Sequence, residues 1–297
     1  MLVAAAALQP AASAGLGSAG LGLLAAATWG GSDFAGGYGA KRSPALLLAF
    51  SGHFVTLLAL AAVCALGHLT IPGHREFLLA AAGGLEGSIA LAVFYRALAL
   101  GAMGLTAVLT GLLTALIPVF FALFTEGLPR IPGLLGLIAG GVAIVLIGYR
   151  AGDETPPLAL LLGAVSGVGF GVQLVLFKLA AVGGVVWAIT SARMGGVAGL
   201  AAILAFARAT SRETLWPKGV WSGFWRMGIL AGVLDTIGNA GYILATRGGR
   251  MDVAAMVSSL YPGITILLAA LVLREYPTRR QAVGMGFALA SIALLSF

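Results

Sequence analysis

The chain has 297 residues, of which 60% are hydrophobic and only 9% charged. A soluble domain carries about 25% charged residues, and a soluble fold of this length could not cover its surface with so few. An ordinary cytosolic enzyme and a disordered regulator are excluded. So is a nucleic-acid binder: despite a net charge of +7, no run of like charges exceeds two, and Lys and Arg collect in the loops of membrane proteins.

A mean hydropathy of +1.05 says that the main solvent is lipid. A transmembrane helix needs about 20 apolar residues, so ten helices would use about 200 and leave about 100 for connections. The first stretch, Met1 to about residue 15, is Ala-rich and reads as a disordered tail. Ala12-Ser13-Ala14 resembles a cleavage site, but no basic region precedes it. Ten apolar segments follow, at 16–38, 45–66, 77–99, 103–124, 131–149, 158–179, 185–207, 227–246, 252–273 and 280–297. Turn and charge signals separate them, among them Lys41-Arg42-Ser43-Pro44, Gly127-Leu128-Pro129-Arg130 and Arg274 to Arg280. Tight Gly-containing turns are expected at Gly101–Gly104 and Gly248–Gly249. The segments are too long for strands and lack period-two alternation. Gly makes up 45 of the 297 residues, twice the usual share or so, as expected where packing rather than water exclusion joins helices.

The sequence also repeats itself at an offset of 148 residues, half its length. Ala97/Ala245, Gly101/Gly249, Met103/Met251, Pro129/Pro277 and Gly136/Gly284 coincide without a gap. The two halves, 16–150 and 151–297, each hold five segments. An odd number forces the second half to insert upside down relative to the first. Such inverted repeats mark many secondary transporters, with the substrate site near the midplane between the halves. Pro118 and Pro262 lie in the fourth and ninth segments, out of phase by four residues. Each should free a carbonyl and bend its helix, either as a packing kink or as a hinge.

Trp29-Gly30-Gly31-Ser32-Asp33-Phe34 resembles the opening motif of EamA-type members of the drug/metabolite transporter superfamily. Gly249 to Ala255, Tyr261-Pro262, and Arg274-Glu275-Tyr276-Pro277 followed by Gln281 and Gly284 resemble the ending of that family's second repeat. The resemblance covers nearly the whole chain. It implies an all-α polytopic membrane protein: ten transmembrane helices, as two inverted five-helix repeats, around a central cavity. It also implies export of amino acids or other small metabolites. Aromatic-amino-acid exporters are one branch of the superfamily, to which no motif here assigns the chain.

Ionisable groups inside a span are costly and usually face a cavity or a partner. Asp33, Glu86, Arg96, Lys178, Arg193 and Asp235 are the group to consider. Asp235, Asn239 and Tyr242 share one helical face, as do Trp29, Ser32, Asp33 and Gly36 in the first span. Trp187, Thr190, Ser191 and Met194 make a stripe in the seventh span; Thr106, Thr110 and Thr114 make one in the fourth. The Thr stripe is expected to bond neighbouring helices, and Lys178 to reach for the interface. Asp33 and Glu86 either face the cavity or pair with Arg193 or Arg96. The expected cavity residues are Trp29, Asp33, Glu86, Tyr95, Trp187, Asp235, Asn239, Tyr242 and Tyr261, with Pro118 and Pro262 as hinges. The aromatic members could stack on planar or cationic substrates. Trp216, Trp221 and Trp225 read as an interfacial belt.

The expected activity is alternating-access export of a small metabolite, such as an amino acid, in exchange for a proton carried by one buried carboxylate. A passive channel and an intramembrane enzyme using Glu86 and Asp235 are the alternatives. No enzyme activity, cofactor or metal is expected: three His and one Cys make no convincing metal site, and no phosphate-binding loop is present. The expected partners are a small-molecule substrate and the lipid of a cell (inner) membrane, with the protein a monomer or weak homodimer. Orientation is divided. Family resemblance puts both ends in the cytoplasm, whereas ten basic loop residues against five favour the opposite.

Overall fold

The computed structural model describes residues 17–40, 43–100, 103–148, 156–210, 223–273 and 278–295. The expected N-terminal tail, Arg274 to Pro277, Trp216, Trp221, and the side chains of Tyr95 and Thr106 lie outside the described residues. The described secondary structure is helical: α1 Ser18–Ala40, α2 Ala45–Leu66, α3 His74–Ala99, α4 Met103–Thr125, α5 Ile131–Gly148 and α6 Pro157–Ala180. A 3-10 turn, Ala181–Gly183, joins α6 to α7 Val185–Thr210; then come α8 Phe224–Gly248, α9 Met251–Ser258, α10 Tyr261–Leu273 and α11 Arg279–Leu295. Proline marks several starts. Pro44 precedes α2 and Pro157 opens α6, positions where a missing N–H costs nothing.

Among the described residues, five helical stretches are long and apolar enough to cross a membrane: Ala45–Leu66, His74–Phe94, Pro157–Gly183, Val185–Thr210 and Trp225–Gly248. Leu109–Thr125 and Ile131–Ile147 are shorter apolar helices. The chain is thus an all-helical, polytopic membrane protein with large side chains such as Phe120, Phe124 and Leu289 turned outward.

The ninth apolar segment departs from the sequence expectation of one bent span. It is two helices, α9 and α10, separated at Ser259–Leu260. Pro262 has no N–H for the carbonyl of Ser258. Ser258 also turns its hydroxyl back onto the Ala255 carbonyl (3.2 Å), a bond that competes with the ladder, and Gly263 follows. Pro118 removes the same backbone bond, yet α4 runs on through it. Thr114, four residues before Pro118 as Ser258 is before Pro262, also turns its hydroxyl back, onto the Thr110 carbonyl (2.8 Å), so the local difference is the residue after the proline: Val119 in α4, Gly263 in α10.

Packing relies on glycine. A Cβ on Gly52 would lie 3.0 Å from the Gly232 Cα, and one on Gly232 would lie 2.6 Å from the Gly52 Cα, so α2 and α8 touch backbone to backbone. Gly84 of α3 meets the backbone of Ala192, and Gly195 of α7 that of Ala81. Small residues permit such approaches where lipid supplies no hydrophobic drive. The contacts also pair up when the halves are exchanged. The pairing of α1 with α8 matches that of α3 with α6, and α2 with α8 matches α7 with α3. Likewise α4 with α6 matches α9 and α10 with α1. The pair α5 and α11 is its own counterpart. Gly136 packs on Leu294 and Leu295, while Gly284 packs on Leu146 and Ile147, so the two helices run antiparallel.

Candidate functional site

α1 and α8 are antiparallel neighbours: Ser32 donates its hydroxyl to the Ala231 carbonyl (2.9 Å), and Trp29 donates its indole N–H to Asn239 Oδ1 (3.1 Å). Asp235 lies between those two contacts on α8. It therefore faces the level of α1 that carries Trp29 and Asp33. On the other side of α8 the carboxylate of Asp235 accepts a hydrogen bond from Arg193 Nη2 of α7. Arg193 Nη2 also donates to Thr236 Oγ1 (2.9 Å), and Asn239 Nδ2 donates to Asp235 Oδ2 (3.1 Å). One polar network thus joins three helices: Trp29 of α1, Arg193 of α7, and Asp235, Thr236 and Asn239 of α8.

The network is unevenly covered. The Arg193 side chain is 5% exposed, whereas that of Asp235 is 31% exposed. Burying a guanidinium costs several kcal/mol or so unless it is paired and hydrogen-bonded, and Asp235 with Thr236 meets that need. Arg193 Nε nevertheless stays buried without a partner among the described residues. The carboxylate is the accessible end of the pair, and the guanidinium keeps a donor in reserve.

Asp33 sits within electrostatic reach of both Asp235 and Tyr261 and forms no hydrogen bond or ion pair with a described residue. Tyr261 is buried at the head of α10, and Gly30 approaches its carbonyl; a Cβ there would lie 2.7 Å away. Thr265 donates to the carbonyls of Gly30 and Tyr261, both at 3.2 Å, tying α1 to α10 beside the helix break. Tyr242 is fully buried one turn beyond Asn239. Its ring lies 6.0 Å from that of Trp29, and its hydroxyl donates to the Leu174 carbonyl of α6 (3.2 Å).

Other expected site residues lie elsewhere. Trp187, near the start of α7, donates its indole N–H to the Leu69 carbonyl in the α2–α3 connection (3.3 Å). Glu86 of α3 presses on Gly169 of α6; its Oε2 is buried with no partner among the described residues. It does not pair with Arg193, which Asp235 takes instead. Pro118 is buried in α4 and Pro262 opens α10. His53 of α2 stands within electrostatic reach of Arg193, 3.5 Å from the Ser88 hydroxyl. In the fourth span, Thr110 donates to the Gly163 carbonyl of α6 (2.8 Å) and Thr114 to that of Gly167 (3.4 Å). These are the interhelical bonds that spacing predicts.

Sequence reasoning weighed Arg193 only as a partner for Asp33 or Glu86 and passed over Thr236. The rarity of an arginine in mid-span was the available signal for the first. Nothing marked the second. Among the described residues no cluster of His, Cys, Asp and Glu could hold a metal ion.

A crystal structure of a protein 20% identical in sequence shares this fold, with a TM-score of 0.73 over 93% of this chain and 95% of that one. No curated protein sequence matches. Residues 157–297, from the start of α6 to the C-terminus, match the model of the EamA-like transporter family. Through this second half the chain is similar to the EamA-like transporter family.

Proposed function

We propose that the chain is a ten-span secondary transporter built from two inverted repeats, exporting small zwitterionic metabolites such as amino acids by alternating access. The polar network of Arg193, Asp235, Asn239 and Trp29 carries this reading. A carboxylate at 31% exposure beside a guanidinium with a free Nε offers both signs of charge to one ligand. The ligand's carboxylate would engage Arg193, its ammonium Asp235 and Asp33, and its side chain the faces of Trp29 and Tyr242. Two charges in a membrane span, one of them buried, are costly and usually serve such a role.

The inverted repeat is supported by the reciprocal packing of α5 and α11. Gly136 and Gly284 are 148 apart in sequence, and so are their partners, Leu146 with Leu294 and Ile147 with Leu295. A two-fold axis that relates two antiparallel helices must run perpendicular to them. For helices that cross a membrane, that axis lies in the membrane plane, the geometry of inverted repeats.

Proton coupling falls to a carboxylate that no cation holds. Asp235 is engaged by Arg193, which leaves Glu86 and Asp33. The test is exchange transport of amino acids, nucleobases and organic cations by purified protein in liposomes. Saturable exchange of an amino acid is expected, with Glu86→Gln or Asp33→Asn removing its dependence on a pH gradient. A pH-gradient dependence that survives both substitutions sinks the coupling assignment. Conversion of the compound into product would identify an enzyme instead.

A further inference from the structure

A second polar cluster lies about 16 Å along α8 from Asp235, the rise of the eleven residues to Thr246. It gathers the C-terminal ends of α4, α6 and α8 and the first turn of α9. Lys178 of α6 donates to the Thr246 carbonyl of α8 (2.5 Å) and pairs with Glu126 Oε1 just beyond α4 (3.4 Å). Glu126 Oε2 accepts the backbone N–H of Met251 (2.9 Å). Arg250 crosses from the α8–α9 turn and donates to the carbonyls of Glu126 (3.2 Å) and Gly127 (2.6 Å). Its guanidinium also grips Asp252, at 3.1 Å from Nε and 2.8 Å from Nη2. Asp252 is fully buried and accepts the Val253 N–H (2.8 Å). Gly127 can present its carbonyl here because its φ of 77° suits glycine alone or nearly so.

Between this cluster and the Asp235 network stands one more layer, the fully buried Tyr242 with its bond to Leu174. Two layers, Tyr242 and this cluster, thus lie along α8 between Asp235 and this end of the bundle. At the offset of 148, Arg250 corresponds to Ala102, Asp252 to Gly104 and Glu126 to Arg274. At that offset neither the sign at Glu126 nor the charges at Arg250 and Asp252 recur in sequence.

We propose that Lys178, Glu126, Arg250 and Asp252 form a lock that sets the resting state of the transporter, closed at this end, and that it breaks each time substrate passes there. The proposal rests on the alternating-access reading. The exposure of the central pair suits a lock that opens: Lys178 and Glu126 side chains are 28% and 21% exposed. Water can take over their hydrogen bonds, so parting them costs far less than parting a fully buried pair.

The experiment replaces the single cysteine, Cys64→Ser, and introduces Ala245→Cys as a reporter behind the lock. Ala245 is fully buried between Tyr242 and Thr246. Maleimide labelling of the reporter in liposomes should rise at least about fivefold with Glu126→Gln or Lys178→Gln, the low end of ordinary coupling between sites. Glu126→Gln keeps an acceptor for Met251, which favours an intact fold; Arg250→Lys replaces any variant that does not fold. Labelling that stays at the parent rate in folded variants overturns the lock. In a second arm, Glu126→Cys and Lys178→Cys are bridged by a cleavable bifunctional thiol reagent. Exchange transport should stop and return on cleavage, and transport that continues through the bridge also overturns the lock. A parent protein that transports nothing would contradict the transporter reading alone, since the labelling arm reads the lock without transport.

Discussion

Arg193 is held at mid-span by two groups of α8, Asp235 and Thr236. Removing one member of such a pair leaves a buried charge without its counter-ion, whereas removing both relieves the desolvation cost as well. Asp235→Asn alone should therefore lower the thermal stability of the protein in detergent more than Asp235→Asn with Arg193→Gln. The coupling between the two changes should be about 1–2 kcal/mol, reduced from the fully buried case by the exposure of Asp235. Additive effects in thermal unfolding would deny the pairing. The pair also shows where sequence reading ended at this scale. Asp235 and Asn239 were legible together because four residues place them on one face of a helix. Their partners Arg193 and Trp29 lie 42 and 210 residues away. No spacing rule reaches that far, and only the crossing of α7 and α1 over α8 brings them in.

Nine of the ten apolar segments became helices close to their expected ends, because each is a long apolar run bounded by Pro, Gly or charge. The ninth broke in two. The proline was visible in the sequence, but Pro118 shows that proline alone does not divide a helix. A back-bonded hydroxyl four residues earlier is common to both prolines (Thr114 and Ser258), so the flexibility of Gly263 is what distinguishes the break. If the break serves as a hinge, Pro262→Ala should join α9 to α10. Exchange should then slow at least about tenfold, the equivalent of about 1.4 kcal/mol on the barrier, without loss of thermal stability. Pro118→Ala should change the rate much less, and equal effects would remove the distinction between the two prolines. Helix packing gives a separate expectation. Gly52→Val would drive its side chain into the Gly232 backbone of α8 and should cost at least about 2 kcal/mol. Gly286→Ala, with open space around it, should be neutral in the same thermal-unfolding assay.

At the scale of the whole molecule, helix contacts and charges behave differently when the two halves are exchanged. Contacts pair up under exchange of the halves, and Gly84 and Gly232, at the 148-residue offset, each make a backbone approach to the neighbouring repeat. Those glycines were legible as part of a weak sequence repeat, because small residues recur where helices must touch. The charges do not follow it. Among the described residues the cation that pairs with Asp235 has no counterpart paired with Glu86, and in sequence the charges of the Arg250 cluster have none at Ala102 and Gly104. Those differences depend on which side chains converge across helices, which a repeat in sequence does not display. Exchange of a radiolabelled amino acid across liposomes, with the parent protein and with Asp235→Asn, tests the central claim most directly. The proposed mechanism predicts saturable exchange by the parent and a loss of at least about tenfold in the variant, about 1.4 kcal/mol of lost binding or barrier stabilisation. Equal exchange by both proteins, or a flux that never saturates, would contradict it.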